Sequence, residues 1–147
     1  MTKIYKFLLA VLFIFSTGIA KADFVDTTSA KEVAVNYLII SGKATGQMAL
    51  TLAHTEYINA VAVYYAFNIN NTSHILIAAD DRAKPIRAYI PNNVYDPGDN
   101  PGVAWFINKQ KGFFLDSVIN NSTNRKLSRW NFYLNPNSQN LSISMGV

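Results

Sequence analysis

The apolar positions of this chain change their spacing several times. Phe7 to Phe15 form an unbroken apolar run behind Lys3 and Lys6, and Ala20-Lys21-Ala22 places small residues where a signal peptidase reads. The run is too short to span a bilayer. Together these features predict a secretory signal peptide over residues 1–22, cut between Ala22 and Asp23. Helical spacing follows in Ala34, Tyr37 and Leu38, with Val33, Val35, Ile39 and Ile40 widening the apolar face. Ser29-Ala30-Lys31-Glu32 fits a capping box and Gly42 a stop, so a helix is expected from Ala30 to Ser41.

From Met48 the period becomes two. Leu50 and Leu52 alternate with Thr51 and Ala53, predicting a strand to about Thr55. Val61, Val63, Tyr65, Phe67 and Ile69 alternate with Ala62, Tyr64, Ala66 and Asn68, the pattern of a half-buried strand. Asn70-Asn71-Thr72-Ser73 is turn chemistry, and Ile75–Ala79 completes an antiparallel hairpin. Asp80–Pro85 reads as a second turn and Ile86–Ile90 as a further strand. Pro91 to Asp99 carries the prolines, asparagines and glycine of an exposed irregular loop. Asn100-Pro101 then suggests a cap and first turn of a helix to about Asn120, striped by Val103, Ile107, Phe114 and Val118. Trp105, Phe106, Phe113 and Leu115 broaden that stripe, predicting a deeply packed helix. The tail holds strand-like fragments at Trp130–Leu134 and Leu141–Met145. The expected fold class is α+β, an antiparallel sheet of about four strands packed on one face by two main helices, in a single domain over residues 23–147.

Composition narrows the function. With 147 residues and no cysteine, the chain has no disulfides, thiol nucleophile, Cys-held metal or lipid-modified N-terminal Cys. Removing residues 1–22 takes away Lys3, Lys6 and Lys21, leaving ten basic against nine acidic residues and a net charge of +1. Such a product lacks a basic stripe for nucleic acid or anionic lipid, and neither nucleic acid nor a membrane anchor is an expected partner. With only His54 and His74 to draw on, no metal or cofactor site is expected. Both histidines fall in or beside strand patterns without a nucleophile motif, so they read as structural and the chain as a non-enzyme. Asp80-Asp81-Arg82 reads as a cap with a local ion pair. Tyr64, Tyr65, Trp105 and Trp130 could stack on sugars, although their spacing suits a core.

A resemblance adds what these patterns do not name. Tyr64-Tyr65-Ala66-Phe67-Asn68, followed by Ile75–Ala79, Asp80-Asp81-Arg82 and Pro85-Ile86-Arg87-Ala88-Tyr89, resembles the propeptide domain of the streptopain family of cysteine proteases. The likeness runs from about Ser29 to Asn120. It departs from the family at Thr72-Ser73, where a Gly-Gly is usual, and at Ala88-Tyr89-Ile90, where Gly-Tyr-Ser is usual. In the proteases a catalytic domain with its Cys follows. Here no Cys follows Asn120, which makes the chain similar to stand-alone streptopain inhibitors.

The resemblance implies that the segment before the last helix enters the protease cleft and holds the catalytic His away from the Cys. In this sequence that segment is Pro91, Asn92, Asn93, Val94, Tyr95, Asp96, Pro97, Gly98, Asp99 and Asn100. Tyr95 is its expected apolar anchor and Asn100 the residue expected to reach the cleft, each with an alternative: packing onto the chain's own sheet for Tyr95, helix capping for Asn100. The expected partner is a secreted streptopain-like cysteine protease, met in the periplasm or outside the cell by a monomeric inhibitor. Alternatives are a trans-acting folding assistant for a secreted protease and a surface carbohydrate-binding module.

Overall fold

The computed structural model describes residues 24–44, 47–96, 98, 101–115 and 127–136. The segment expected to be a signal peptide, the stretch from 116 to 126 and the fragment Leu141–Met145 lie outside the described residues. Helix α1 spans Thr27–Ile40, strands β1 to β4 span Leu50–Ile58, Val61–Ile69, Ser73–Ala78 and Ile86–Ile90, and helices α2 and α3 span Pro101–Leu115 and Leu127–Leu134. The four strands form one antiparallel sheet in the order β1-β2-β3-β4. The fold is α+β.

Helix α1 starts earlier than the Ser29–Glu32 capping box implies. Asp26 is the cap, and its Oδ1 accepts from the backbone N–H groups of Thr28 at 2.8 Å and Ser29 at 2.9 Å. A carboxylate reaches these unpaired first-turn donors as well as a hydroxyl does and adds a favourable interaction with the helix dipole. Gly42 ends the helix with φ +64°, as expected. Ala30, Val33, Ala34 and Leu38 are buried, whereas Ile39 and Ile40 are exposed, so the apolar face is narrower than the sequence suggests.

Two residues, Asn59-Ala60, join β1 to β2, and three, Asn70-Asn71-Thr72, join β2 to β3. Asn70 and Asn71 have φ of +49° and +53°, and Thr72 N–H donates to the Ile69 carbonyl at 3.0 Å, which closes a tight turn just ahead of the Ile69–Ser73 pair. At the other hairpin Asn59 and Ala60 have φ of +50° and +64°. Asn tolerates this region, but a Cβ makes it costly for Ala. Ala60→Gly is expected to stabilise the protein by about 0.5–1 kcal/mol, the relief of strain exceeding the added backbone entropy. An unchanged or lower urea midpoint would contradict this.

Strand β2 is buried on both faces from Ala62 to Phe67, and β3 is buried throughout, which corrects the half-buried reading of β2. The reason is that the helices divide between the faces. On one face Tyr65 Oη donates to the Val25 carbonyl at 2.8 Å at the entry to α1, and α1 packs over β2 and β3. Tyr64 points the opposite way, and α2 is tied to that second face. There Lys111 Nζ lies 2.6 Å from Glu56 Oε1, and Arg87 Nη2 donates to Gln110 Oε1 at 2.7 Å. The expected one-sided coverage is therefore replaced by a sheet covered on both sides.

Ile107 and Phe114 of α2 are buried, but Trp105 is 61% exposed and Phe113 51%. The broad stripe read as deep packing instead leaves one aromatic side facing outward, bridged by Lys109 4.7 Å above the Trp105 ring. The Trp130–Leu134 fragment is helical, as part of α3, which packs on α1. Asp80 and Arg82 form the local ion pair expected of their turn, at 2.6 Å.

Candidate functional site

The loop from β4 to α2 is the segment that the sequence singles out, and its support lies on the second face of the sheet. In β2 and β3, Tyr64, Asn68 and His74 share this face, because Asn68 pairs with His74 and Tyr64 with Ala78 in one unbroken register. Strand β1 would place His54 and Glu56 on the opposite face if its pairing were regular. A register shift between Leu52 and His54 adds one residue, so that His54 opposes Ala66 and Glu56 opposes Tyr64. A bulge re-aims every side chain beyond it. It thus brings His54 and Glu56 beside Tyr64.

Tyr95 drops into the space these residues frame. Its ring stacks on His54 at 5.4 Å and 16°, and meets His74 edge-on at 5.5 Å and 84°. Its hydroxyl lies 3.2 Å from that of Tyr64, and its backbone N–H donates to Asn68 Oδ1 at 2.8 Å. His74 Nδ1 is 2.8 Å from the Asn93 carbonyl. A carbonyl only accepts, so the proton resides on Nδ1. Two residues of the loop, Asn93 and Tyr95, are thereby fixed to the strands beneath.

The electrostatics keep the two phenols protonated and the carboxylate at the cluster's edge ionised. Burial raises the pKa of Tyr64, helped by the Tyr95 hydroxyl, and burial likewise raises that of Tyr95, so both phenols stay protonated. Burial also pushes the Glu56 carboxyl upward, but Lys111 and His54 outweigh it and leave the carboxyl below its ordinary value. His54 Nε2 lies 3.1 Å from Glu56 Oε2, which orients the imidazole that stacks on Tyr95. Burial holds the pKa of His74 below its ordinary value of 6.5, against the opposing pull of the Asn93 carbonyl.

The expectation that Tyr95 offers its ring to a partner is therefore corrected. The ring is 8% exposed and turned onto the chain's own sheet. Pro91, Asn92, Asn93, Val94, Asp96 and Gly98 are exposed around it. Asn92 takes a left-handed φ of +58°, and Gly98 N–H donates to Asp96 Oδ1 at 2.9 Å. Pro97, Asp99 and Asn100 lie outside the described residues, so Asn100 is not placed here as either a cap or a cleft residue. Of the four aromatics considered for sugar stacking, Tyr64, Tyr65 and Trp130 are buried and only Trp105 is exposed. Among the described residues no group of three or more His, Cys, Asp or Glu could hold a metal ion.

Comparison with known proteins adds no relative. No protein-family model, curated protein or solved structure matches this chain.

The loop's support has a pH signature. Because His74 binds a proton less readily folded than unfolded, its contribution to stability is complete above its ordinary value of 6.5 and is lost as the pH falls through its lower folded value. Glu56 acts in the same direction at lower pH. Its contribution is present above its ordinary value of 4.5 and disappears as the pH falls through its depressed folded value. The urea midpoint is expected to fall between about pH 7 and pH 5, and His74→Gln to flatten that segment. An equally steep dependence in the variant would assign the acid sensitivity elsewhere.

Proposed function

We propose that this chain is an exported inhibitor of streptopain-like cysteine proteases that lays its β4–α2 loop over the active-site cleft. The observation that carries the reading is the way the loop is presented. Tyr95 and Asn93 pin the backbone from below, while the side chains of Asn92, Asn93, Val94 and Asp96 face solvent. A loop held in place before binding loses little entropy on docking, which favours tight occlusion of a cleft. Inhibition then needs no covalent step. A wedge that keeps the catalytic imidazole from its Cys removes both the activated thiolate and its proton shuttle. The contact residues are the exposed members of the loop, with Val94 rather than Tyr95 as the apolar one.

The test is titration of residues 23–147 into an active streptopain-type protease. Inhibition is expected at or below about 10 μM, and Val94→Arg should weaken it at least tenfold, about 1.4 kcal/mol. Ile39→Arg, an exposed position on α1, should leave it unchanged. No inhibition, or equal losses from both substitutions, would overturn the proposal. Improved refolding of the protease without inhibition would identify a folding assistant instead.

A further inference from the structure

The Ile86 end of β4, opposite to the end from which the loop departs, borders a cavity of about 360 Å³. Lys84, Pro85 and Ile86 form one wall, and Ser128, Arg129, Phe132 and Tyr133 of α3 form the other. We infer that this cavity binds a small amphipathic carboxylate, with its charge between Lys84 and Arg129 and its apolar body against Phe132, Pro85 and Ile86.

Size, charge and lining each point there. The volume falls at the lower end of the range of small-molecule clefts, which are mostly apolar with a few placed polar groups. Both cations are exposed at the cavity, and among the described residues neither forms a salt bridge with a carboxylate: the salt bridges there use Arg82, Lys111 and His54. Phe132 and Tyr133 meet edge to face at 4.9 Å, which makes a firm aromatic wall. Burial raises the pKa of the Tyr133 phenol, with Arg129 pulling the other way, so the hydroxyl remains a donor. The Ser128 hydroxyl adds another polar group to the lining. Two cations beside an apolar wall suit a monoanion that carries hydrocarbon, and a guanidinium can grip a carboxylate through two parallel hydrogen bonds. A bare phosphate would leave the aromatic wall uncovered.

The experiment titrates the full chain with 4-phenylbutyrate and, separately, with the neutral 4-phenylbutanamide of nearly the same shape. Saturable binding of the carboxylate is expected with a dissociation constant below about 1 mM, at least tenfold tighter than the amide. Arg129→Gln and Phe132→Ala should each weaken binding severalfold, and urea midpoints will check that the variants remain folded. Lys84→Met, on the opposite wall, is a second variant for the charge. The inference is overturned by absence of saturable binding up to about 5 mM, by equal affinity for the amide, or by inorganic phosphate competing as well as the carboxylate. It is also overturned if Arg129→Gln and Lys84→Met both bind like the parent. Protease inhibition is not a readout in any arm, so this result stands apart from that of the loop.

Discussion

Tyr95→Ala is expected to destabilise the protein by about 3–5 kcal/mol, the usual cost of emptying a buried aromatic site. The side chain fills the space between His54 and His74, and its removal strips a stacked and an edge-on contact together. It also leaves the buried Tyr64 hydroxyl without its 3.2 Å partner. Tyr95→Phe separates the two contributions. It keeps the ring contacts and removes only the hydroxyl, so its cost should be about 1–2 kcal/mol. Both are read from urea midpoints at neutral pH. The consequence for the loop is specific: in Tyr95→Ala the amide protons of residues 93–96 should exchange faster even where the sheet stays protected. Inhibition should fall as well, because the exposed residues lose their fixed backbone. A loss in inhibition without faster exchange or lower stability would mean that Tyr95 meets the partner directly.

The difference between what was readable here and what was not lies in one inserted residue. Tyr64, Asn68 and His74 are brought to one face by strict alternation and a three-residue connection, Asn70-Asn71-Thr72, that pairs Ile69 with Ser73; the alternation and the place of the turn can be read along the sequence. That a ring from the following loop would cover them could have been suspected from two polar residues and a tyrosine facing an otherwise apolar sheet. His54 and Glu56 could not be placed in this way. Leu50, Leu52, His54 and Glu56 share one alternation phase, and only the register shift after Leu52 sends the last two to the other side. Nothing in Ala53 marks it as the extra residue, because a bulge is decided by what lies across the sheet. The same dependence on tertiary context explains Trp105. Its spacing matches the buried stripe, but the position of α2 on the sheet determines which part of a broad stripe faces inward.

Helix α3 illustrates a different limit, and it carries the second large prediction. Trp130, Phe132 and Leu134 alternate like a strand, while Trp130, Tyr133 and Leu134 also satisfy helical spacing. Eight residues do not distinguish the two periods; packing does. Asn36 Nδ2 donates to the Tyr133 carbonyl at 2.6 Å, the rings of Tyr37 and Tyr133 meet edge-on at 5.9 Å, and Trp130 Nε1 donates to the Ala83 carbonyl at 3.0 Å. Trp130 is only 2% exposed, which makes it the pin that holds α3 to the β3–β4 turn. Trp130→Ala is therefore expected to cost about 3–5 kcal/mol. Trp130→Phe should cost about 1–3 kcal/mol, much of it from leaving the Ala83 carbonyl without its donor. Fluorescence provides an independent check, since the chain has just two tryptophans and Trp105 is 61% exposed. The parent should show one tryptophan accessible to iodide and one protected. Trp130→Phe should retain only the accessible, red-shifted emission. If Trp130→Ala instead cost less than about 1 kcal/mol, with unchanged exchange in α1 and the sheet, α3 would be a loosely held unit that opens without the rest. The cavity beside Lys84 would then lose its second wall whenever α3 opened, and carboxylate affinity would fall with the open fraction.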